Sequence, residues 1–489
     1  MSLFENTAAP ARSVAFETRS ADQRLFVLLI QTISLCAGLF LLLVADWRTL
    51  SVEWIGRLLL FQLIWALWSW RKLGGTLLNP YVLFMLSATL FNAGLGLVEA
   101  VHLNNEPILP DFPDEIVRRS LLIVFASLSA LHLGALFVLR DRPGGLGAPS
   151  ASSPIGDRAL RLIGWGLLAI SFVPVMIQLN KAFSVALGGG YLALYQQDVG
   201  LAGLASAIQI LADLAGPGIF FLIAGSKERP VVRRAGVVML MFYCGIALFF
   251  GSRGSAMTLV AATWLWERTI ARVPRILLIG AAAVLLVGVF PFIRETRNLS
   301  ATERRTVSVR GTYSDLEENP AVDAIMEMGS SILSLAYTLE LVPNYRPYDL
   351  GAGYFYGAFS LVPSLFWARH PSVARGTYSK WLIESVDPVT ADMGGGLGFS
   401  FIAEAFLNFG AVGAPFVCLL LGYGIARLWI WSERSRDPGG FAVVATLLPY
   451  LLFFARGEFM FIPRPFVWYG LVPYGAYLFL RRASESHTA

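Results

Sequence analysis

Charge is what this chain has least of. Only 15% of its 489 residues are Asp, Glu, Lys or Arg, whereas 56% are hydrophobic. Soluble domains carry about 25% charged residues, so this chain cannot cover a globular surface with charge, and lipid must cover much of it. Site-building residues are also scarce. Cys36, Cys244 and Cys418 all lie inside apolar stretches without framework spacing, which predicts neither disulfides nor a metal site. The four histidines, His102, His132, His370 and His487, are scattered. In its span, His132 reads as a packing residue rather than a ligand. No P-loop, Rossmann glycine fingerprint, HExxH or GxSxG occurs. Asp-x-Asp is missing too, which disfavours an enzyme holding a nucleotide sugar through a metal. No cofactor, metal or nucleic-acid partner is expected.

Apolar runs are what the chain has in quantity. A helical span needs roughly 20 apolar residues, and the runs predict spans near 25–45, 51–70, 78–101, 120–139, 162–180, 202–224, 235–250, 255–267, 276–293, 410–431, 441–456 and 466–480. The expected fold is all-α, a polytopic membrane bundle of about 12 spans. Residues 1–293 form an N-terminal bundle of about nine spans, 294–398 a large loop with short helices, and 399–489 about three further spans. The run Leu25–Ala45 is longer than a signal-peptide core and reads as an uncleaved first span. The short runs 235–250 and 255–267, joined by Gly251-Ser252-Arg253-Gly254, suit a hairpin that does not fully cross. Basic residues of short loops set orientation. With the N-terminus inside, Arg12, Arg19, Arg24, Arg71, Lys72, Lys227, Arg229, Arg481 and Arg482 are all cytoplasmic. Both termini are then cytoplasmic and the large loop is periplasmic.

Within that loop, Asn319-Pro320 reads as an N-cap and N1 proline opening a helix to about Val342. Val322, Ile325, Ile332, Leu335, Leu339 and Val342 form its apolar stripe, to lie against the membrane surface or the bundle. The acidic run Asp315 to Glu318 before it complements the helix dipole. The pentapeptide Arg-Gly-Thr-Tyr-Ser occurs twice, from Arg310 and from Arg375, a match that chance accounts for more readily than shared function.

Arginines at the outer ends of spans are the main chemical candidates: Arg253, Arg456, Arg464, Arg294 and Arg297. An arginine there reaches headgroup phosphates at little cost, which accounts for Arg294 and Arg297. For Arg253 and Arg456, flanked by glycine, a ligand-binding role weighs equally. A second feature is Gly398-Phe399-Ser400 through Gly410, in which Glu404 and Asn408 are i and i+4 on one face. A carboxylate in apolar surroundings is costly unless paired or functional, so Glu404 reads as a general base and as the partner of an outer arginine, two compatible readings. Asp213 is the main charge deep within a span.

Gly251-Ser252-Arg253-Gly254, the late large loop, the Gly-Phe-Ser…Glu…Asn-Phe-Gly stretch and Ala455-Arg456-Gly457 together resemble the Wzy-type O-antigen polymerases, part of the wider family of oligosaccharide repeat-unit polymerases. The resemblance covers roughly 235–470. It implies a membrane glycosyltransferase, related to the O-antigen ligases and the peptidoglycan-polymerising SEDS proteins. Such an enzyme joins repeat units carried on undecaprenyl diphosphate at the periplasmic face of the bacterial inner membrane, beside a flippase and a chain-length regulator, without metal. On that reading Arg253, Arg456 and Arg464 hold diphosphate, and Glu404 takes the acceptor proton, with Glu458 and His370 behind it. Arg294, Arg310, Arg375, Tyr378 and Asn408 would line the substrate site. A ligase acting on lipid A core, with His370 as its loop histidine, and a flippase of lipid-linked sugars are the competing expectations.

Overall fold

The structure is a computed structural model and describes residues 9–44, 49–104, 107–139, 153–196, 204–250, 252, 254–289, 320–362, 367 and 370–486. Arg253, Arg294, Arg297, Arg310 and the acidic run 315–318 lie outside the described residues. Among those described, the chain is helical without strands. The N-terminal part holds α1 (Ala9–Leu43), α2 (Val52–Lys72), α3 (Pro80–Ala100), α4 (Asp114–Val138), α5 (Pro154–Gln196), α6 (Leu204–Ala212), α7 (Ala215–Ala224), α8 (Pro230–Phe249), α9 (Ser255–Thr269) and α10 (Arg275–Ala283). The loop holds α11 (Pro320–Gly329), α12 (Leu333–Leu341), α13 (Ala352–Ala358), α14 (Pro371–Arg375), α15 (Tyr378–Val386) and α16 (Pro388–Asp392); α17 (Phe401–Ser435), α18 (Pro438–Phe454) and α19 (Val472–Ser486) close the chain.

The all-helical membrane bundle is as expected, but twelve spans are not confirmed. Seven helices are long and apolar enough to cross a membrane among the described residues. The shortfall has local causes: α9 and α18 are 15 and 17 residues long, and α10 passes into a π-helical segment at Val284–Val289. A helical segment capped by Ser400, which accepts a hydrogen bond from Ala403 N (3.1 Å), leads from Phe401 to a break at Gly410, where the expected span ten begins.

The bundle core is α4. Every residue from Ser120 to Leu136 is buried, as an all-apolar helix requires. His132 is fully buried there, bonded to Ser69 Oγ through Nε2 (2.7 Å) and to Tyr81 OH through Nδ1 (2.6 Å). By contrast α1 exposes Leu25, Phe26, Leu29 and Ile33, and α8 exposes Val238 and Phe242, surfaces suited to lipid. α4 and α17 cross in backbone contact. A Cβ on Gly134 would lie 1.9 Å from the Leu419 carbonyl oxygen, and one on Gly422 would lie 1.9 Å from that of Leu131. Small residues permit such approach between membrane helices, where lipid leaves no hydrophobic drive for association.

The loop helix lies against the bundle rather than the membrane surface. α11 and α12 run from Pro320 to Leu341 through one 3₁₀ turn, and Val322, Ile332, Leu335, Leu339 and Val342 of the expected stripe are buried. Gly329 meets the α3 backbone at Gly94.

Gly422→Val should separate α4 and α17 and destabilise the fold by about 1–3 kcal/mol, the usual cost of overpacking. Gly166→Ala, on α5 with nothing within 4 Å of its added Cβ, should leave the melting temperature in detergent unchanged. Equal melting of both variants would contradict the crossing's role.

Candidate active site

Near the N-terminal end of α17 the helix breaks. Gly410 adopts φ 72°, ψ −169°, a conformation that favours glycine. The break frees the carbonyls of Leu407 and Asn408, and the loop supplies donors for them: Asp349 N to Leu407 O (3.1 Å) and Leu350 N to Asn408 O (3.0 Å). Buried carbonyls need such partners. The Asn408 side chain completes the joint. Its Oδ1 accepts from Gly351 N (3.0 Å) and Gly353 N (3.4 Å), and its Nδ2 donates to Glu404 O (2.8 Å) and Tyr378 OH (3.4 Å).

Asp349 gathers the charges of this corner. It accepts from Tyr378 OH (2.5 Å) and Arg346 (3.0 Å) and pairs with Arg375. The Arg346 guanidinium lies 4.5 Å from the Trp381 ring, and that of Arg375 lies 5.2 Å from Tyr356. A Cβ on Gly353 would lie 2.1 Å from Tyr378 OH, so that glycine makes room for the phenol. The second pentapeptide copy thus contributes Arg375, the α15 cap Thr377 and Tyr378 to one cluster.

Two carboxylates fix the segment that follows α18. Glu404, 1% exposed, accepts Phe459 N–H at Oε2 (2.7 Å); its Oε1 accepts no hydrogen bond from the described residues. Among the described residues no arginine forms an ion pair with Glu404, and the outer arginines Arg253, Arg294 and Arg297 lie outside them. Glu458, 3% exposed, takes the first amides of α15, Tyr378 N (2.8 Å) and Ser379 N (2.7 Å), where the helix dipole favours a negative group. Arg456, one turn earlier, lies over the Phe91 ring (5.4 Å) and beside Gly398.

The other side of the same segment faces a cavity of about 320 Å³ lined by Asp213, His370, Arg464, Tyr450, Tyr469 and Met460, among others. Arg464 Nε donates to Ser360 O (3.0 Å). Asp213 sits where α6 gives way to α7 and accepts from Gln209 Nε2 (2.9 Å) and Tyr469 OH (3.1 Å). Both nitrogens of His370 are engaged: Nε2–H donates to Val362 O (3.0 Å), and Nδ1 faces Ser372 Oγ (2.6 Å). The structure therefore brings Glu404, Asn408, Tyr378, Arg375 and Glu458 together, with Arg456 nearby. Arg464 and His370 lie in the cavity, which Glu404 does not line. Among the described residues no cluster of His, Cys, Asp and Glu could hold a metal.

A family model described as O-antigen polysaccharide polymerase Wzy matches residues 25–484. The chain belongs to this family. No curated protein and no solved structure matches it. The Wzy match spans the first half as well, where the motifs were silent. Arg346 and Asp349 were missed in the sequence; their spacing of three was the available signal. Asp213 was noticed as a charge deep in a span but not as a cavity residue.

Asn408→Ala would orphan the Gly351 and Gly353 amides, a cost of about 1–3 kcal/mol for a buried group left unpaired. Faster proteolysis between 344 and 362 in detergent is the expected readout. For Glu458, burial raises the carboxyl pKa above its ordinary 4.5, while the Ser379 and Tyr378 amides act in the opposite sense. The folded chain thus holds this proton more tightly than the unfolded one. Its stabilising contribution is full below the ordinary value and declines as pH rises through the folded value. Glu458→Gln should flatten that decline in melting temperature while lowering stability at every pH, because an amide donor then faces an N–H. An unchanged profile would contradict this placement.

Proposed function

We propose that this Wzy-family chain polymerises oligosaccharide repeat units carried on undecaprenyl diphosphate, at the periplasmic face of the bacterial inner membrane. The single observation behind the reaction site is the segment 456–464. It leaves the outer end of a membrane helix, is held by two buried carboxylates, and carries an arginine near each end.

The chemistry needs three things. An acceptor sugar hydroxyl attacks the anomeric carbon of the donor. The bond from that carbon to the phosphate oxygen breaks, and its electron pair leaves with the lipid diphosphate. Cationic donors stabilise the charge that develops there, a role given to Arg456 and Arg464, with Arg253 as a third. The hydroxyl proton passes to a base. Glu404 is that base in this reading, receiving the proton at Oε1 while Oε2 stays on the Phe459 amide. Arg375, Tyr378 and Asn408 shape the sugar side, a role given to Arg310 and Arg294 as well. Glu458 acts by holding the segment. His370, with both nitrogens engaged, lines the cavity without serving as base. No metal takes part. The periplasmic site and cytoplasmic termini follow from the basic loops, and a flippase and a chain-length regulator supply and limit the reaction.

The test is complementation of a strain lacking this chain, read as the length distribution of surface polysaccharide on a gel. Glu404→Gln retains an acceptor for the Phe459 amide but loses the base, and should lower polymer yield by about 10² or more, with normal amounts of protein in the membrane. Wild-type polymer from Glu404→Gln would remove Glu404 from the mechanism.

A further inference from the structure

Beside the cavity that holds Arg464 runs a second, mostly apolar one. It has a volume of about 530 Å³ and is lined by Leu420, Arg427, Leu428, Leu447, Leu451 and Phe466, among others. Along α17 it extends from Leu420 to Trp431, roughly 16 Å of helix. Leu420 and Phe466 are 53% and 38% exposed, so the groove opens onto the lipid-facing surface. Tyr450 and Pro465 line both spaces. An oily groove on the membrane side thus meets a cavity holding Arg464, and the described residues supply Arg464 with one hydrogen bond, through Nε.

An ordinary membrane lipid fills a groove of this kind without needing the cavity. The cavity is what selects. Arg464 interacts electrostatically with Asp213 in this cavity but, among the described residues, forms no ion-pair contact, and its planar fork suits phosphate oxygens. Beyond it, Asp213, Tyr450 and Tyr469 present polar atoms suited to hydroxyl groups. A long apolar chain, then a phosphate anion, then hydroxyls is the order of groups in an isoprenoid diphosphate saccharide.

We infer that the groove and cavity form one seat for the isoprenoid carrier of one of the two saccharides, its chain along α17 and α18, its diphosphate at Arg464 and its first sugar towards Asp213. This deepens the proposed function and rests on it. The Glu404 cluster, on the other side of segment 458–464, is left for the second saccharide.

The test uses the purified full chain in detergent with a diazirine-bearing geranylgeranyl diphosphate and the matching alcohol. Photolabelled peptides are mapped by mass spectrometry, with phosphatidylglycerol as competitor. Labels should fall within 420–431 and 447–451. Arg464→Ala should weaken the diphosphate about tenfold, equivalent to one lost charge-assisted hydrogen bond, and change the alcohol little. Leu447→Trp, which fills the groove without touching Arg464, should reduce labelling by both. Labelling elsewhere, equal labelling by alcohol and diphosphate, or displacement by phosphatidylglycerol as effective as by unlabelled diphosphate would overturn the seat. Polymer formation despite labelling elsewhere would remove the seat and leave the function standing. Labelling as expected without polymer would do the reverse.

Discussion

The backbone contact between α4 and α17 is the constraint on which the rest depends. Lipid gives apolar helices no reason to associate, so close packing has to supply one. At Gly134 and Gly422 the helices approach until each glycine meets a carbonyl oxygen of the other. α17 is thereby fixed against the most deeply buried helix. Near its N-terminal end it then breaks at Gly410, and the carbonyls freed by the break take the Asp349 and Leu350 amides. Asn408 adds the Gly351 and Gly353 amides, and Glu404 takes that of Phe459. The loop and the segment after α18 are thus built onto α17 by hydrogen bonds between distant parts of the chain.

Charge follows the same economy. In a chain with few ionisable groups, Arg346, Asp349, Arg375, Glu404 and Glu458 gather in one corner. Asp349 there offsets Arg346 and Arg375, and Glu458 sits on a helix N-terminus. The segment from Arg456 to Arg464 lies between this network, in which Glu404 Oε1 accepts no hydrogen bond from the described residues, and a cavity of about 320 Å³. Hydrogen bonds from one side hold the segment, and both sides keep groups that a substrate can meet.

Much of the architecture was legible because apolar runs and helix ends are local signals. Asn319-Pro320 and Pro343 marked the loop helix, and the i, i+4 spacing put Glu404 and Asn408 on one face. Other features depend on encounters that no local pattern encodes. Asp349 meets Arg375 and Tyr378 across 26 and 29 residues of chain. Hydropathy placed the start of span ten at 410, where the helix breaks, but did not show the capped segment Phe401 to Phe409 before it, which mixes glutamate and asparagine with apolar residues. The count of twelve spans is not confirmed, since helices such as α9 and α18 are short. Asp213 looked like an isolated charge because Tyr469, its partner, lies 256 residues away.

The most direct measurement is a product gel from the purified protein in detergent, given native undecaprenyl-diphosphate-linked repeat units and a metal chelator and nothing else. A ladder of repeat-unit multiples is the predicted result. Intact, unextended substrate, or transfer only onto added lipid A core, would contradict a metal-independent polymerase.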